Sequence, residues 1–264
     1  MKALVLAAGR GERLRPLTDT IPKPLVEVGG RALIEYPLGM LKRAGITEIA
    51  INVHHLAGAM QSALGSGARL GIDIVWSPEP VLFGTGGPLS GLAGFLGSDT
   101  FVVANSDTIL NLDLAAMIAF HRDRGALVTL ALAQPGNLGA YSAIEIDPDA
   151  RVRRMRLLKS MTPRAYEEYA DARAAAQSAA SLASFMYCGV IVAEPAVLKL
   201  APPAPPWSIM GGLVAPMVRD GLPVFGRAHH GYMRTVDDLA AYERLRAEFA
   251  SNPPELSCLD LARR

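Results

Sequence analysis

Several common signatures are missing from this chain, and each absence removes a class of function. It has only two cysteines in 264 residues, Cys188 and Cys258, far apart and without metal-site spacing. They read as reduced thiols of a cytosolic protein. Charge is also scarce: 19% of residues are charged and the net charge is +1, which argues against a nucleic-acid partner. No apolar run reaches the length of a membrane span. The run Ala3–Ala8 after Lys2 is too short for a signal peptide, so a cytoplasmic location is expected. Internal repeats and long charge runs are lacking as well. Half of the residues are hydrophobic, enough for a substantial core in one domain, with or without an appendage.

What is present begins at the first residues, MKALVLAAGRGERLRPLTDTIPKPLV. The apolar run Ala3–Ala8 predicts a buried strand. It breaks into Gly9-Arg10-Gly11, a loop carrying Arg10, Arg13, Arg15 and then Lys23, opposed by Glu12 and Asp19. Glycines let backbone N–H groups approach an anion, and arginine and lysine add charge-assisted hydrogen bonds, so this pattern suits phosphates. A tight turn would also explain the glycine pair alone. Pro22 and Pro24 restrict the backbone on either side of Lys23, which a solvated surface lysine would not need. The Walker A pattern is absent, and so is G-x-G-x-x-G, because Arg13 and Leu14 stand where a glycine would come.

Periodicity along the first half alternates strand and helix. Strands are expected at Ala3–Ala8, Glu48–Val53, Ile72–Trp76, Phe101–Ala104 and Leu127–Ala133. Helices are expected at Leu33–Ala44, Leu56–Leu64, Gly86–Leu96 and Leu112–His121, the last capped by Asn111 or Asp113. This order implies an α/β fold with a mostly parallel, doubly wound sheet. In the second half, Ser142–Ile146 and Val152–Leu158 read as a hairpin and Phe185–Val192 as a strand. Ala201–Pro206 is too rich in proline for regular structure, and helices are expected at Ile209–Arg219 and Asp237–Phe249. The stretch 160–184, with nine alanines, is read as a helical insertion. The organisation expected is an α/β part at 1–135 that carries the phosphate-suited loop, a smaller mixed part at 136–250 of the same domain, and a tail at 251–264 with little to bury.

The motif LAAGRGERLRPLT…PKPL resembles the signature of the sugar-1-phosphate nucleotidyltransferases, nearest to the N-acetylmuramate-1-phosphate uridylyltransferases and the mannose- and heptose-1-phosphate guanylyltransferases. The resemblance implies a Rossmann-like, GT-A-type sheet. It also implies an activity that joins a nucleoside triphosphate to a sugar 1-phosphate and releases pyrophosphate with Mg²⁺, and it leaves a homodimer open. Under it, Arg13, Lys23 and Asp107 are the catalytic candidates. Leu6, Ala7, Ala8, Gly9, Gly11 and Asn105 would line the nucleotide. PVLFGTGGPL (residues 80–89) resembles the L-G-T-G-G segment, which puts Gly84, Thr85 and Gly86 against base and ribose, although a glycine-rich start to a core helix reads equally well. Asn105-Ser106-Asp107 resembles the metal-binding N-G-D segment and follows a strand end, where ligands of open α/β sheets gather; a turn cap is the plainer reading.

The second half departs from the family pattern. The E-K pair that contacts the sugar phosphate in relatives is replaced by Val152-Arg153-Arg154-Met155-Arg156-Leu157-Leu158-Lys159. Lys159, with Gly139 and Gly189, is the candidate sugar-phosphate group, and Arg154 and Arg156 compete with it. The G-Y-W-x-D segment becomes Gly231-Tyr232-Met233-Arg234-Thr235, so a hydroxyl stands in the place of a second metal aspartate. Asp237 or Asp238 could take that role, or both could simply begin the last helix. Neither His54-His55 nor His229-His230 is expected to share a metal, because adjacent strand residues face opposite ways. Two alternatives therefore stay open beside the enzyme: a regulatory relative that binds a nucleotide sugar without turnover, and a cytidylyltransferase acting on a non-sugar phosphate or phosphonate.

Overall fold

The computed structural model describes residues 1–134, 142–161, 164–171 and 182–257. In chain order the strands are β1 (Lys2–Leu6), β2 (Glu27–Val28), β3 (Arg31–Ala32), β4 (Glu48–Val53), β5 (Asp73–Pro78), β6 (Phe101–Asn105) and β7 (Thr108–Leu110). They continue with β8 (Val128–Ala133), β9 (Ala143–Ile146), β10 (Val152–Met161), β11 (Arg164–Ala170), β12 (Ala183–Ala193), β13 (Val224–His229) and β14 (Met233–Thr235). The helices are α1 (Glu35–Arg43), α2 (Ala57–Leu64), α3 (Gly87–Gly91), α4 (Ala93–Leu96), α5 (Leu114–Asp123), α6 (Ala215–Arg219) and α7 (Leu239–Ser251). The chain divides into two compact units, one of residues 1–82, 102–114 and 231–264, the other of residues 83–101 and 115–230.

The first unit is built on a parallel sheet. β1 pairs with β4 in parallel, Ala3 opposite Ile49 and Leu6 opposite Asn52, and β4 pairs with β5 in parallel. β6 lies on the other side of β1. β1, β4 and β6 read as apolar runs because Ala3, Leu4, Val5, Ile49, Ala50, Ile51, Val102, Val103 and Ala104 are all buried, whereas β5 at the edge is only partly covered. α1 covers part of this core with Tyr36, Leu38 and Leu41 and stops at Gly45, whose φ of +78° only glycine adopts without strain. A small antiparallel pair, β7 with β14, sets Thr108 opposite Thr235. The final helix, α7, is capped by Asp238, whose side chain accepts the Ala241 N–H at 2.7 Å. The segment after α7 is pinned rather than loose, contrary to the expectation for the tail: Leu256 is buried, and the Ser257 hydroxyl donates to Asn111 Oδ1 at 2.6 Å. Asn111 therefore holds the tail's described residues.

The second unit has a mixed sheet. β13 pairs with β8 in parallel, β8 with β12 antiparallel, and β12, β9, β10 and β11 follow one another antiparallel. The hairpin expected at Ser142–Ile146 and Val152–Leu158 is present as β9 and β10. Its turn is tightened by Asp147, whose side chain accepts the N–H groups of Asp149 and Arg151. The helical expectation for 160–184 fails over Arg164–Ala170, which forms β11 against β10. This portion holds two tyrosines and two of the alanines, and pairing with β10 outweighs a helix preference that nothing else there supports. Residues 172–181 lie outside the described residues. The predicted helix from Ile209 begins with a π-helical turn, Ile209–Val214, before α6.

Candidate functional site

In the first unit the chain leaves β1 through buried Ala7 and Ala8 and emerges at Gly9 and Arg10, both exposed. Gly11 has a φ of +64°, and a Cβ there would sit 3.0 Å from both Lys23 Cβ and Thr18 Cγ2. Only glycine meets both demands. The Gly11 carbonyl accepts from Leu14 N–H at 2.9 Å and from the Thr18 hydroxyl at 2.8 Å, and the wholly buried Leu14 anchors the loop from below. A succession of tight turns, Glu12–Leu14, Leu17–Asp19 and Lys23–Leu25, carries the chain around the site.

Lys23 opens the last of these turns between its two prolines, and its Nζ donates to Asp107 Oδ2 at 2.5 Å. The lysine side chain is 13% exposed and the aspartate 28%, so the pair is largely shielded from water. Asp107 lies beyond the end of β6, and that end is fastened to β1: Ser106 gives both its N–H and its hydroxyl to the Leu6 carbonyl. Asn105, the last residue of β6, is half-buried beside it. The Asp107 carbonyl in turn accepts the Val236 N–H at 3.1 Å, which draws the segment after β14 alongside. There Asp237 receives the Thr235 hydroxyl at 3.0 Å, and its other oxygen lies 3.5 Å from Arg13 Nη2. Arg13, Lys23, Asp107 and Asp237 thus form two linked cation–carboxylate pairs, with Leu6, Ala7, Ala8, Gly9 and Gly11 at the same strand end. The two neighbouring aspartates separate in role, Asp238 capping α7 and Asp237 facing Thr235 and Arg13.

Among the described residues no group of three or more metal-ligating side chains occurs. The donor set that a hard cation would use here is Asp107 and Asp237. A divalent cation that binds through one or two carboxylates and completes its shell with water and phosphate oxygens would fit such a set.

Gly84, Thr85 and Gly86 belong to the second unit, and their surroundings differ. Gly86 N–H donates to the Trp207 carbonyl at 2.9 Å, while Trp207 N–H donates to the Phe83 carbonyl at 3.2 Å. The Thr85 hydroxyl accepts from Ile209 N–H at 3.0 Å. A Cβ on Gly86 would lie 2.0 Å from Trp207 Cε3, and one on Gly84 2.4 Å from the Trp207 carbonyl oxygen. Trp207 is therefore the residue that sets this glycine cluster, and sequence reasoning passed over it. Its only sequence signal was a large aromatic side chain directly after a proline-rich stretch.

The sugar-phosphate candidates come together less well. Gly139 lies outside the described residues. Lys159 lies on β10, but its side chain is outside the described set. Gly189 has a φ of +81° where the β12–β8 register slips between Tyr187 and Ile191, so a β-bulge accounts for the glycine. The arginines of β10 all have carboxylate partners. Arg153 is buried between Asp147 and Asp171, at 2.7 Å from each. Arg154 pairs with Glu145 and Glu168, and Arg156 with Glu145. The buried Cys188 has its thiol pushed up to about 12 by burial alone, which fits an inert packed residue.

A protein-family model described as nucleotidyl transferase matches residues 2–156, more than half of the chain. An N-acetylmuramate alpha-1-phosphate uridylyltransferase of Neisseria meningitidis is 48% identical over 117 residues, 44% of this chain and 51% of that protein. A UTP–glucose-1-phosphate uridylyltransferase of Synechocystis is 30% identical over 238 residues, 85% of this chain and 57% of that protein. The chain thus spans about half the length of the curated relatives it matches. Among solved structures, one of a putative glucose-1-phosphate thymidylyltransferase from Bacillus anthracis in complex with a sucrose superposes with a TM-score of 0.73 at 19% identity, covering 98% of both chains. That likeness establishes the α/β fold with its large sheet.

Proposed function

Because the chain belongs to the nucleotidyl transferase family, we propose that it transfers a nucleoside monophosphate from a nucleoside triphosphate to a sugar 1-phosphate. A phosphate oxygen of the sugar 1-phosphate attacks the α-phosphorus in line, the bond from that phosphorus to the bridging oxygen breaks, and pyrophosphate leaves. Such chemistry asks the protein for position and charge rather than for a covalent partner. The observation that carries the reading is the shielded Lys23–Asp107 pair, 2.5 Å long, at the strand end from which the cationic glycine loop departs.

In this reading the loop N–H groups around Gly9–Gly11 and the Arg13 guanidinium hold the triphosphate. Lys23 exchanges its carboxylate partner for phosphate oxygens as charge develops at the reacting centre. Asp107, with Asp237 beside it, would hold Mg²⁺, which when bound neutralises phosphate charge. Both substrates are phosphorylated metabolites, consistent with a cytoplasmic protein.

The test is pyrophosphate release from UTP, GTP, ATP, CTP and dTTP, each with Mg²⁺ and a panel of sugar 1-phosphates. UTP comes first, since two of the relatives are named uridylyltransferases. Turnover with one combination supports the reading. Tight nucleotide binding without any turnover supports the regulatory alternative, which one observation favours: Thr235 replaces a carboxylate and occupies Asp237 with its hydroxyl. No binding of any triphosphate would sink both.

A further inference from the structure

The histidine pair after β4 has no part in the chemistry above, yet the structure uses it at the site. β4 ends Asn52-Val53, and His54 and His55 follow. Asn52 is almost wholly buried, and its side-chain oxygen accepts the Ala7 N–H at 2.8 Å. Its amide donates to Glu79 Oε1 at 2.8 Å, and the Glu79 carbonyl accepts from His54 Nδ1 at 2.9 Å. His55 reaches the opposite way, donating from Nε2 to the Thr18 carbonyl at 3.1 Å. Thr18 is the residue whose hydroxyl holds the Gly11 carbonyl.

The glycine loop is thus held at two places by one four-residue segment. Asn52 grips its entrance at Ala7, and His55 grips the Thr18–Gly11 brace at its middle. Among the described residues, the hydrogen bonds of these two side chains go to backbone groups of the loop and, for Asn52, to Glu79 as well. A loop that presents N–H groups to an anion works only if those groups keep their spacing, and a glycine-rich loop has little stiffness of its own.

We infer that Asn52 and His55 are positioning residues for triphosphate binding, His55 acting as an Nε2–H donor that holds the Thr18–Gly11 brace. The inference rests on the glycine loop being the triphosphate site. It gives the two adjacent histidines separate tasks: their opposed directions let one hold Glu79 and the other Thr18.

The decisive comparison is His55→Gln against His55→Asn in the full chain. A glutamine amide falls near the position of Nε2 and can donate to Thr18, whereas an asparagine amide stops near Nδ1. Dissociation constants for UTP, GTP, ATP, CTP and dTTP with Mg²⁺ are measured by calorimetry, together with thermal midpoints. Expected is near-native affinity for His55→Gln and about a tenfold loss for His55→Asn, the scale of one hydrogen bond that organises a loop. The two midpoints should lie close together, since both variants carry a polar amide of similar kind. Equal affinities in the two variants would overturn the positioning role. Arg13→Ala, measured alongside, tests the underlying site separately: if it binds triphosphate as well as the native chain does, the loop is not the triphosphate site. If Arg13→Ala binds poorly while both His55 variants bind normally, only the positioning inference falls.

Discussion

Two glycine clusters, Gly9–Gly11 and Gly84–Gly86, look alike in composition, and the structure needs them for different reasons. At Gly11 the demand is conformational and close-range, a positive φ with Lys23 and Thr18 at 3.0 Å, and around it stand cations paired with carboxylates. At Gly86 the backbone lies in the ordinary helical region, and the demand is room for the Trp207 ring, whose atoms would lie within about 2 Å of any Cβ. The first loop closes on the Lys23 and Thr18 side chains, and the second, although Gly84 also has a positive φ of +75°, closes on Trp207. A glycine pattern therefore reports a backbone or packing demand, and only the neighbour tells whether that demand is a braced loop or an aromatic ring.

Three experiments would break or sharpen this contrast. The largest effect belongs to the charged loop. Lys23→Met should lower kcat/KM by about 10²–10³ once a substrate pair is found, because a cation aimed at developing phosphate charge is lost. It also leaves Asp107 without its partner. A Lys23→Met chain with native kcat/KM would remove the lysine from the reaction.

Next comes the pair Gly86→Ala and Gly11→Ala, followed by denaturant unfolding. The first should cost about 2–3 kcal/mol through overpacking against Trp207. The second should cost about 1–2 kcal/mol through left-handed strain and tight contact. Adding Trp207→Ala should recover part of the Gly86→Ala loss and none of the Gly11→Ala loss, since coupling is confined to groups in contact. Strict additivity in both pairs would mean that the indole does not set the second cluster.

The smallest effect separates the units by pH. His121 is buried in the second unit, bonded through Nδ1 to the Thr129 hydroxyl at 2.8 Å and through Nε2 to Glu194 at 3.1 Å. Burial, the largest influence, holds its imidazole below the ordinary value; Glu194 pulls it upward and Arg122 slightly down. The unfolded chain therefore takes up this proton first, and stability should fall as pH drops below about 6.5, until the folded imidazole titrates too. His121→Gln should flatten that slope. An unchanged slope would assign the acid sensitivity to other groups.

Much of this was legible in the chain. The apolar runs of β1, β4 and β6 and the spacing of α1 and α2 announce themselves, because buried parallel strands and amphipathic helices leave periodic marks. Lys23 between prolines, and an aspartate just past a strand end, stood out by residue type and position, and the structure pairs them. Other features were not. The turn from helix to strand at Arg164–Ala170 depends on a partner strand. Asp237 and Asp238 are indistinguishable neighbours until one is seen capping α7 and the other facing Thr235. Asn52 offered one hint, a lone amide within the apolar stretch Ile49–Val53, but its partner Glu79 lies 27 residues away.

The amino-acid order alone determined which segments bury themselves, where the backbone can bend, and where cationic charge collects, since these follow from each residue's own chemistry and that of its near neighbours. Tertiary structure decided which groups meet: Lys23 with Asp107 across 84 residues, Gly86 with Trp207, His55 with the Thr18 carbonyl. Such meetings are set by how distant strands come to lie side by side, and no local pattern records them.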